Sequence, residues 1–317
     1  MKIILANDGI SKIGIETLTK SGFKVITKKV PQEKLGEFIN EQKIEVLLVR
    51  SATKVKKELI DECPNLKIIG RGGVGMDNID LKYAQKKGIQ VFNTPAASSL
   101  SVAELVFTHL FNISRFIHES NREMPLQGEI QFKALKKKYS KGNELKGKKL
   151  GIVGFGRIGQ EVAKIAIGLG MEVIVYDKFI KKSTIEIEFF NKKKIAFEIK
   201  IKKLENLLEK SDFITFHIPK NKKATIGKKE FEIMKKGVGI INAARGGIVD
   251  ELALLEAIKK GKVSAAGLDV FENEPQPSVH LLMNEKISLS PHIGGSTIEA
   301  QNRIGLELAE KIINFYN

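Results

Sequence analysis

Between Lys149 and Asp177 the chain reads KLGIVGFGRIGQEVAKIAIGLGMEVIVYD, and this stretch limits the possible folds most tightly. An apolar, β-branched run ends on Gly154, Gly156 and Gly159, spaced G-x-G-x-x-G at the opening of an amphipathic segment. A second β-branched run then ends on Asp177, 18 residues beyond Gly159 and close to the spacing of about 20 that a βαβ dinucleotide fold uses. Each glycine meets a separate demand. The first permits a tight turn, the second lets a pyrophosphate approach the backbone, and the third lets helix and strand pack closely. The helix N-terminus offers unpaired N–H groups and positive dipole character to phosphates. Asp177 is suited to accept hydrogen bonds from the adenosine ribose and to repel a 2′-phosphate. The stretch predicts a Rossmann-type unit that binds NAD rather than NADP.

The rest of the chain extends this pattern. KIILA, FKVIT, EVLLVR, LKIIGR and IQVFN are expected as buried strands before residue 100, with helices such as KIGIETLTKSG between them, the latter closing on Gly22. KLGIVGF, EVIVYD, FITFHI, VGIINAA, AAGLDV and KISLSP form a second series. Two α/β units with parallel sheets follow, both doubly wound. SVAELVFTHLFNISRFIHES predicts a long helix with Ser101 as its N-cap and Glu104 completing a capping box. Residues 119–146 have little periodicity and are expected as a polar, Lys-rich connection. TIEIEFFNKKKIAFEIKI alternates on both sides of a polar turn and predicts an inserted β-hairpin, either a sheet extension or a dimerisation edge.

With 317 residues there is room for two domains, and 42% hydrophobic content is that of a globular protein. No apolar run approaches the length that spans a bilayer, and MKIILANDG reaches polar residues too soon for a signal peptide. The single Cys63 suits a reducing, cytoplasmic setting and is expected to be structural. Net charge is +16, but the lysines are scattered, and the clusters at 136–138 and 192–194 lack interleaved aromatics for base stacking. No nucleic-acid partner is expected. The positive field fits anionic small molecules instead.

Three segments at predicted strand ends of the second series carry reactive side chains: NAARGGIVD (242–250), GLDVFENEP (267–275) and SPHIGGST (290–297). They offer Arg245, Glu274 and His292. A guanidinium matches a substrate carboxylate with its fork of donors. An imidazole moves protons near neutral pH, and a carboxylate orients it and stabilises its charged form.

These motifs, together with VRSATKV (49–55), IGRGGVGMDNIDL (69–81) and NTPAASSLSVAELV (93–106), resemble the D-2-hydroxyacid dehydrogenase family along nearly the whole chain. Within it the likeness is greatest to the branch that oxidises 3-phosphoglycerate. The resemblance implies a flavodoxin-like substrate domain from residues 1–98 plus 290–317. A Rossmann NAD domain, 99–289, is inserted into it, with the active site in the cleft. It implies that His292 is the acid–base, Glu274 its partner and Arg245 a contact to substrate oxygens. The backbone of Gly73, Val74 and Gly75 would hold the substrate carboxylate. Arg50, Ser51 and Arg71 would favour a phosphate, and Ser98 stands where many relatives carry Asn near the substrate. Asp269 would meet the nicotinamide carboxamide, and His217 and Pro219 the adenine side, with further cofactor contacts at Arg157, Ile158, Ala243 and Gly294.

The implied reaction is NAD-dependent oxidation of 3-phospho-D-glycerate to 3-phosphohydroxypyruvate, the entry to serine biosynthesis, in a homodimer built through the NAD domain. No metal and no membrane are implied. Glyoxylate, hydroxypyruvate or another 2-keto acid would suit the same constellation, and some relatives are NAD-sensing corepressors. Two departures stand out. PKNKK (219–223) replaces the usual Pro-Leu-Thr, and MPLQGEIQFKALKKKYSKG lacks the tryptophan common there. The closing helix near residue 317 leaves no expectation of a C-terminal regulatory domain or of serine feedback through one.

Overall fold

A computed structural model of the chain describes residues 1–220 and 223–317. Asn221 and Lys222, in the middle of PKNKK, lie outside the described residues. The chain separates into two units, Met1–Ser101 with Gly295–Asn317, and Val102–Gly294.

In the first unit the strands β1 (Ile3–Ala6), β2 (Lys24–Ile26), β3 (Val46–Val49), β4 (Ile68–Arg71) and β5 (Gln90–Asn93) form one parallel sheet in the order β2-β1-β3-β4-β5. This is the flavodoxin-like winding, and its switch point falls between β1 and β3. All four residues of β3, VLLV, are buried, because helices cover both faces of a parallel sheet. Helices α1 (Lys12–Lys20), α2 (Leu35–Glu41), α3 (Lys57–Glu62) and α4 (Leu81–Lys86) alternate with the strands. Gly22 follows α1 with φ +85°, the left-handed stop expected there. Cys63 is buried, and burial pushes its thiol up to about 11, so it is inert packing.

Helix α5 (Ser99–Arg115) crosses the boundary between the units, and α6 (Ile117–Lys138) follows it. The second unit continues with β6 (Lys149–Val153), α7 (Arg157–Gly168), β7 (Glu172–Tyr176), the hairpin β8 (Lys182–Glu188) and β9 (Lys194–Lys200), α8 (Leu204–Lys210) and β10 (Phe213–Phe216). It then adds α9 (Lys228–Ile233), β11 (Val238–Asn242), α10 (Glu251–Lys259), β12 (Val263–Leu268), α11 (Val279–Leu282) and β13 (Ile287–Leu289). Its parallel sheet runs β13-β12-β11-β10-β6-β7, with the switch point between β10 and β6. The chain closes with α12 (Ile298–Tyr316), which belongs to the first unit and is capped by the Thr297 hydroxyl on the Ala300 amide.

Four expectations are corrected. Ser101 is not an N-cap. A turn closed by the Ser99 amide on Ala96 O starts the helix earlier, and the Ser101 hydroxyl pairs with Thr297 Oγ1 at 2.7 Å. Residues 119–146 are not a loose connection, since α6 fills most of them. Only Leu135 of α6 is buried, so the helix has no buried face for periodicity to report. It is set off from α5 by Phe116 in the left-handed region at φ +56°. The hairpin is a separate two-stranded sheet rather than an extension. It pairs Ile185 with Phe197 and Ile187 with Ile195, and meets the main sheet through one bridge, Val175 to Ile201. Lastly, residues 290–294 stay with the second unit, held there by the hydrogen bonds described next.

Candidate active site

At the switch point of the second sheet, the glycine turn follows β6 directly. Gly154 has φ +97°, and a Cβ on it would lie 2.6 Å from His217 O. A Cβ on Gly159 would lie 2.2 Å from Gly154 O, so helix and turn touch there and only glycine fits. Gly156 differs: a Cβ there meets nothing within 4 Å. It is the N-cap of α7, and no side chain caps the helix, so the first amides of α7 keep no side-chain partner beside this open position. An open backbone concavity at a helix start fits a pyrophosphate. His217 sits at the facing strand end with Nδ1 buried and unpartnered, and burial pushes its pKa down to about 3. Pro219 beside it is exposed.

Asp177 ends β7 as expected, but its oxygens are already engaged. Oδ2 accepts from the Phe155 amide at 2.7 Å, and Oδ1 accepts from Phe179 and Ile180 at 2.8 and 3.1 Å. Partial burial raises its pKa, and the three amides more than offset this, so it lies below the ordinary value. Oδ2 retains a lone pair for a ribose hydroxyl.

His292 occupies the loop after β13 with φ +54°, a left-handed conformation uncommon for a residue with a Cβ. Its Nδ1 lies 2.7 Å from Glu274 Oε2, and Glu274 Oε1 accepts the Phe271 amide at 3.0 Å. With Nδ1–H donated to a carboxylate, Nε2 carries the lone pair. The two side chains are 37% and 35% exposed, so the pair is open to a reactant. An apolar recess of about 370 Å³ adjoins it, lined by Phe271, Pro275, Leu282 and Leu289 among others.

The loop bearing His292 hangs on Asp269, which is 1% exposed. Its Oδ1 accepts from the Ser290 hydroxyl at 2.6 Å and the Ile293 amide at 2.8 Å, and Oδ2 accepts from the Gly294 amide at 2.9 Å. Burial raises the Asp269 pKa against the pull of these donors. Three of its acceptor positions therefore serve this loop, where sequence assigned it a cofactor contact. Arg245 follows β11, with Nη1 donating to Ala244 O at 2.6 Å, and Ala243 beside it is buried. The turn is braced by Asn242 Nδ2 on Arg245 O.

In the first unit, the loop after β3 carries Arg50 and Ser51. Asp8, just after β1, holds that loop: its carboxylate accepts from the Arg50 amide at 2.7 Å and the Thr53 amide at 3.0 Å. It also takes the Thr53 hydroxyl and pairs with Lys29. Asn78 Nδ2 ties down the carbonyls of Arg50 and Thr53. Burial opposes ionisation of Asp8, but Lys29 and these donors win and its pKa is lowered. An open recess of about 420 Å³ lies here, with Gly9, Lys29, Arg50 and Ser51 in its wall.

Gly73 departs from its assigned role. Its amide donates to Thr94 Oγ1 at 2.8 Å and is not available to a carboxylate. A Cβ on it would fall 1.8 Å from Arg71 Nη1, which donates to Gly72 O. Val74 and Gly75 form no such bond through their amides among the described residues. Ser98 is buried, at the place a Cβ on Gly295 would reach.

Residues 107–294 match the family model described as D-isomer specific 2-hydroxyacid dehydrogenase, NAD binding domain. The chain is 42% identical over 312 residues to a hydroxypyruvate reductase of Thermotoga maritima, covering 96% of this chain and 95% of that protein. The chain belongs to the D-2-hydroxyacid dehydrogenase family. A D-3-phosphoglycerate dehydrogenase of Archaeoglobus fulgidus is 43% identical over 318 residues, which is 99% of this chain and 57% of that protein. Among solved structures, the D-lactate dehydrogenase of Aquifex aeolicus with NAD and lactic acid superposes with a TM-score of 0.75. Its identity is 29%, over 100% of this chain and 95% of that one. As a member of this family the protein is an NAD-dependent dehydrogenase, and its second unit is the family's NAD-binding domain.

Several residues of this dehydrogenase escaped the sequence. Asp8 sits in NDG, which reads as a turn. Thr94 and Ser290 lie inside segments that stand out for other residues, and Ser288 and His109 carry no local motif. Only the position of Asp8 at the end of β1, beside a sheet switch point, was a usable signal.

Proposed function

We propose that the chain catalyses the NAD-dependent, reversible oxidation of 3-phospho-D-glycerate at C2 to 3-phosphohydroxypyruvate. The observation that carries the acid–base part is the 2.7 Å contact between His292 Nδ1 and Glu274. Bound NAD supplies the hydride acceptor. Neutral His292 takes the C2 hydroxyl proton on Nε2, and Glu274 stabilises the imidazolium that results. In the reverse direction the same nitrogen returns the proton to the carbonyl oxygen. Arg245 binds the carboxylate and polarises the carbonyl, and the amides of Val74 and Gly75 hold a carboxylate oxygen.

Preference for a phosphorylated substrate rests on Arg50, Ser51 and Lys29 around the recess after β1 and β3. Their donors suit a phosphate, and the net charge of +16 steers anions toward the protein. The product would enter serine biosynthesis in the cytoplasm. A second substrate is favoured by a different observation: the hydroxypyruvate reductase is 42% identical over 312 residues, as similar as the phosphoglycerate dehydrogenase at 43% over 318. Following NADH by absorbance with 3-phosphoglycerate, and its consumption with hydroxypyruvate and glyoxylate, separates them. A kcat/KM for phosphoglycerate below that for the unphosphorylated acids, each in its own direction, would overturn the phosphate assignment.

A homodimer through the second unit completes the proposal. Helix α6 leaves Met124, Leu126, Ile130 and Phe132 exposed, Leu126 and Ile130 by 80% and 87%. Large apolar side chains left exposed in such number on one helix support an interface there. Light scattering that returns a monomer would overturn it.

A further inference from the structure

We infer that His109 is a positioning residue for the acid–base histidine, acting through Ser290 and Asp269 on the loop that carries His292. The inference deepens the proposed function and rests on His292 being the proton acceptor.

His109 is buried in α5 and far in sequence from the site, yet both of its ring nitrogens are engaged at the end of β13. Nδ1 lies 2.9 Å from Ser288 Oγ, and Nε2 lies 2.9 Å from Ser290 Oγ. The direction of each bond follows from its neighbours. Asp269, when ionised, only accepts, so the Ser290 hydroxyl proton is committed to its Oδ1 at 2.6 Å. Ser290 Oγ must then accept from His109 Nε2–H. That leaves Nδ1 as an acceptor, taking the Ser288 hydroxyl proton, while Asn112 Nδ2 donates to Ser288 Oγ at 3.2 Å. The chain of bonds runs one way, from Asn112 to Asp269, and closes with a single tautomer of a neutral imidazole.

Burial keeps that ring neutral, pushing its pKa down to about 4. Space for it is reserved as well. A Cβ on Gly267 of β12 would lie 2.5 Å from His109 Cβ and 2.9 Å from Cγ, so any side chain there would displace the imidazole.

At the far end, Asp269 grips the amides of Ile293 and Gly294, immediately beyond His292. A residue with a Cβ held at φ +54° is disfavoured by about 1–2 kcal/mol, so surrounding bonds must maintain it. Glu274 fixes the ring, and Asp269 fixes the backbone beneath it. The Ser290 hydroxyl is the only side-chain donor to Asp269 among the described residues, and His109 orients that hydroxyl. Loss of this support lets the loop relax and moves Nε2 relative to the reacting hydroxyl. Displacements of about 1 Å cost roughly 100-fold in rate.

The test uses the full chain and five variants: His292→Ala, His109→Leu, Ser290→Ala, Ser290→Thr and the double variant His109→Leu/Ser290→Ala. Turnover is followed as NADH formed from 3-phosphoglycerate, or consumed with hydroxypyruvate, with NAD affinity read by fluorescence and folding by thermal melting. We expect His109→Leu and Ser290→Ala to lower kcat about 10- to 100-fold with NAD affinity within about 2-fold of wild type. Ser290→Thr, which keeps the hydroxyl, should return most of that loss, and the double variant should be no slower than the slower single one. Wild-type kcat in Ser290→Ala, with His292→Ala inactive, overturns the inference and leaves the acid–base assignment standing. A loss that Ser290→Thr does not restore, or that falls equally on NAD affinity, also overturns it. Should His109→Leu not fold, the two Ser290 variants decide alone. Turnover retained in His292→Ala overturns the acid–base assignment itself.

Discussion

Two loops at strand ends, one in each unit, are built on the same plan and carry opposite electrostatics. Asp8 holds residues 50–53 and Asp269 holds residues 290–294, each by accepting backbone amides and a hydroxyl. Asp8 has a lysine against it and its pKa is lowered. Asp269 has no lysine or arginine among its described partners, is more deeply shielded, and its pKa is raised. A loop that only presents fixed donors tolerates a neutralised anchor. A loop that carries a proton-transfer group benefits from an anchor whose charge favours the imidazolium when it forms. In the proposed function the first anchor builds a binding surface, and the second also supplies a field.

Substitutions break this comparison in graded ways. The largest effect is expected from His292→Ala, which removes acid–base transfer and should lower kcat by about 10²–10⁴-fold while NAD fluorescence titrations remain unchanged. Asp269→Asn comes next, because an amide nitrogen would face amide donors. A drop in kcat of about 10-fold or more at nearly constant KM is expected by steady-state kinetics. Asp8→Asn should give the converse split, raising KM for the hydroxy acid with kcat held. Equal changes in both parameters for both variants would erase the distinction between the loops.

The glycine turn sharpens the comparison from another side. Gly159→Ala collides with backbone at 2.2 Å, so it should cost both stability and NAD affinity, whereas Gly156→Ala meets open space and should weaken NAD alone. Thermal melts with and without NAD read this directly. The smallest effect concerns acid. Asp8, lowered from 3.8, contributes stability that is present above that value and lost as pH falls through its folded pKa. Asp269, raised from 3.8, does the reverse: its carboxylate costs stability at neutral pH, and the cost is relieved as pH falls through the raised value. Melting temperature against pH should therefore fall less steeply in Asp8→Asn below pH 3.8, and should lose its compensating rise above pH 3.8 in Asp269→Asn.

What could be seen in the sequence follows from what burial writes into it. Strands covered on both faces appear as VLLV or GIINA and were legible, as were the glycines that sterics makes irreplaceable. Helix α6 was not, because it buries only Leu135 and so leaves no period. Arg245, Glu274 and His292 stood out through their motifs. The bonds behind them did not, since His109 and Ser288 are separated by 179 residues and neither has a neighbour in sequence that marks it. Hydrogen-bonded support is a property of the folded surface, and local patterns do not encode it.

The first unit is sewn from both ends of the chain. Ala309 and Ile312 of α12 are buried in one core with Ile4, Leu18 and Val46, and α12 passes α1 so closely that a Cβ on Gly14 would lie 2.9 Å from Gly305. During synthesis, residues 102–294 emerge with every strand of their own sheet, while residues 1–101 wait for the final helix. The unit translated first is thus completed by the residues translated last, and a chain truncated after residue 294 should keep a protease-resistant second unit beside a still-labile first one.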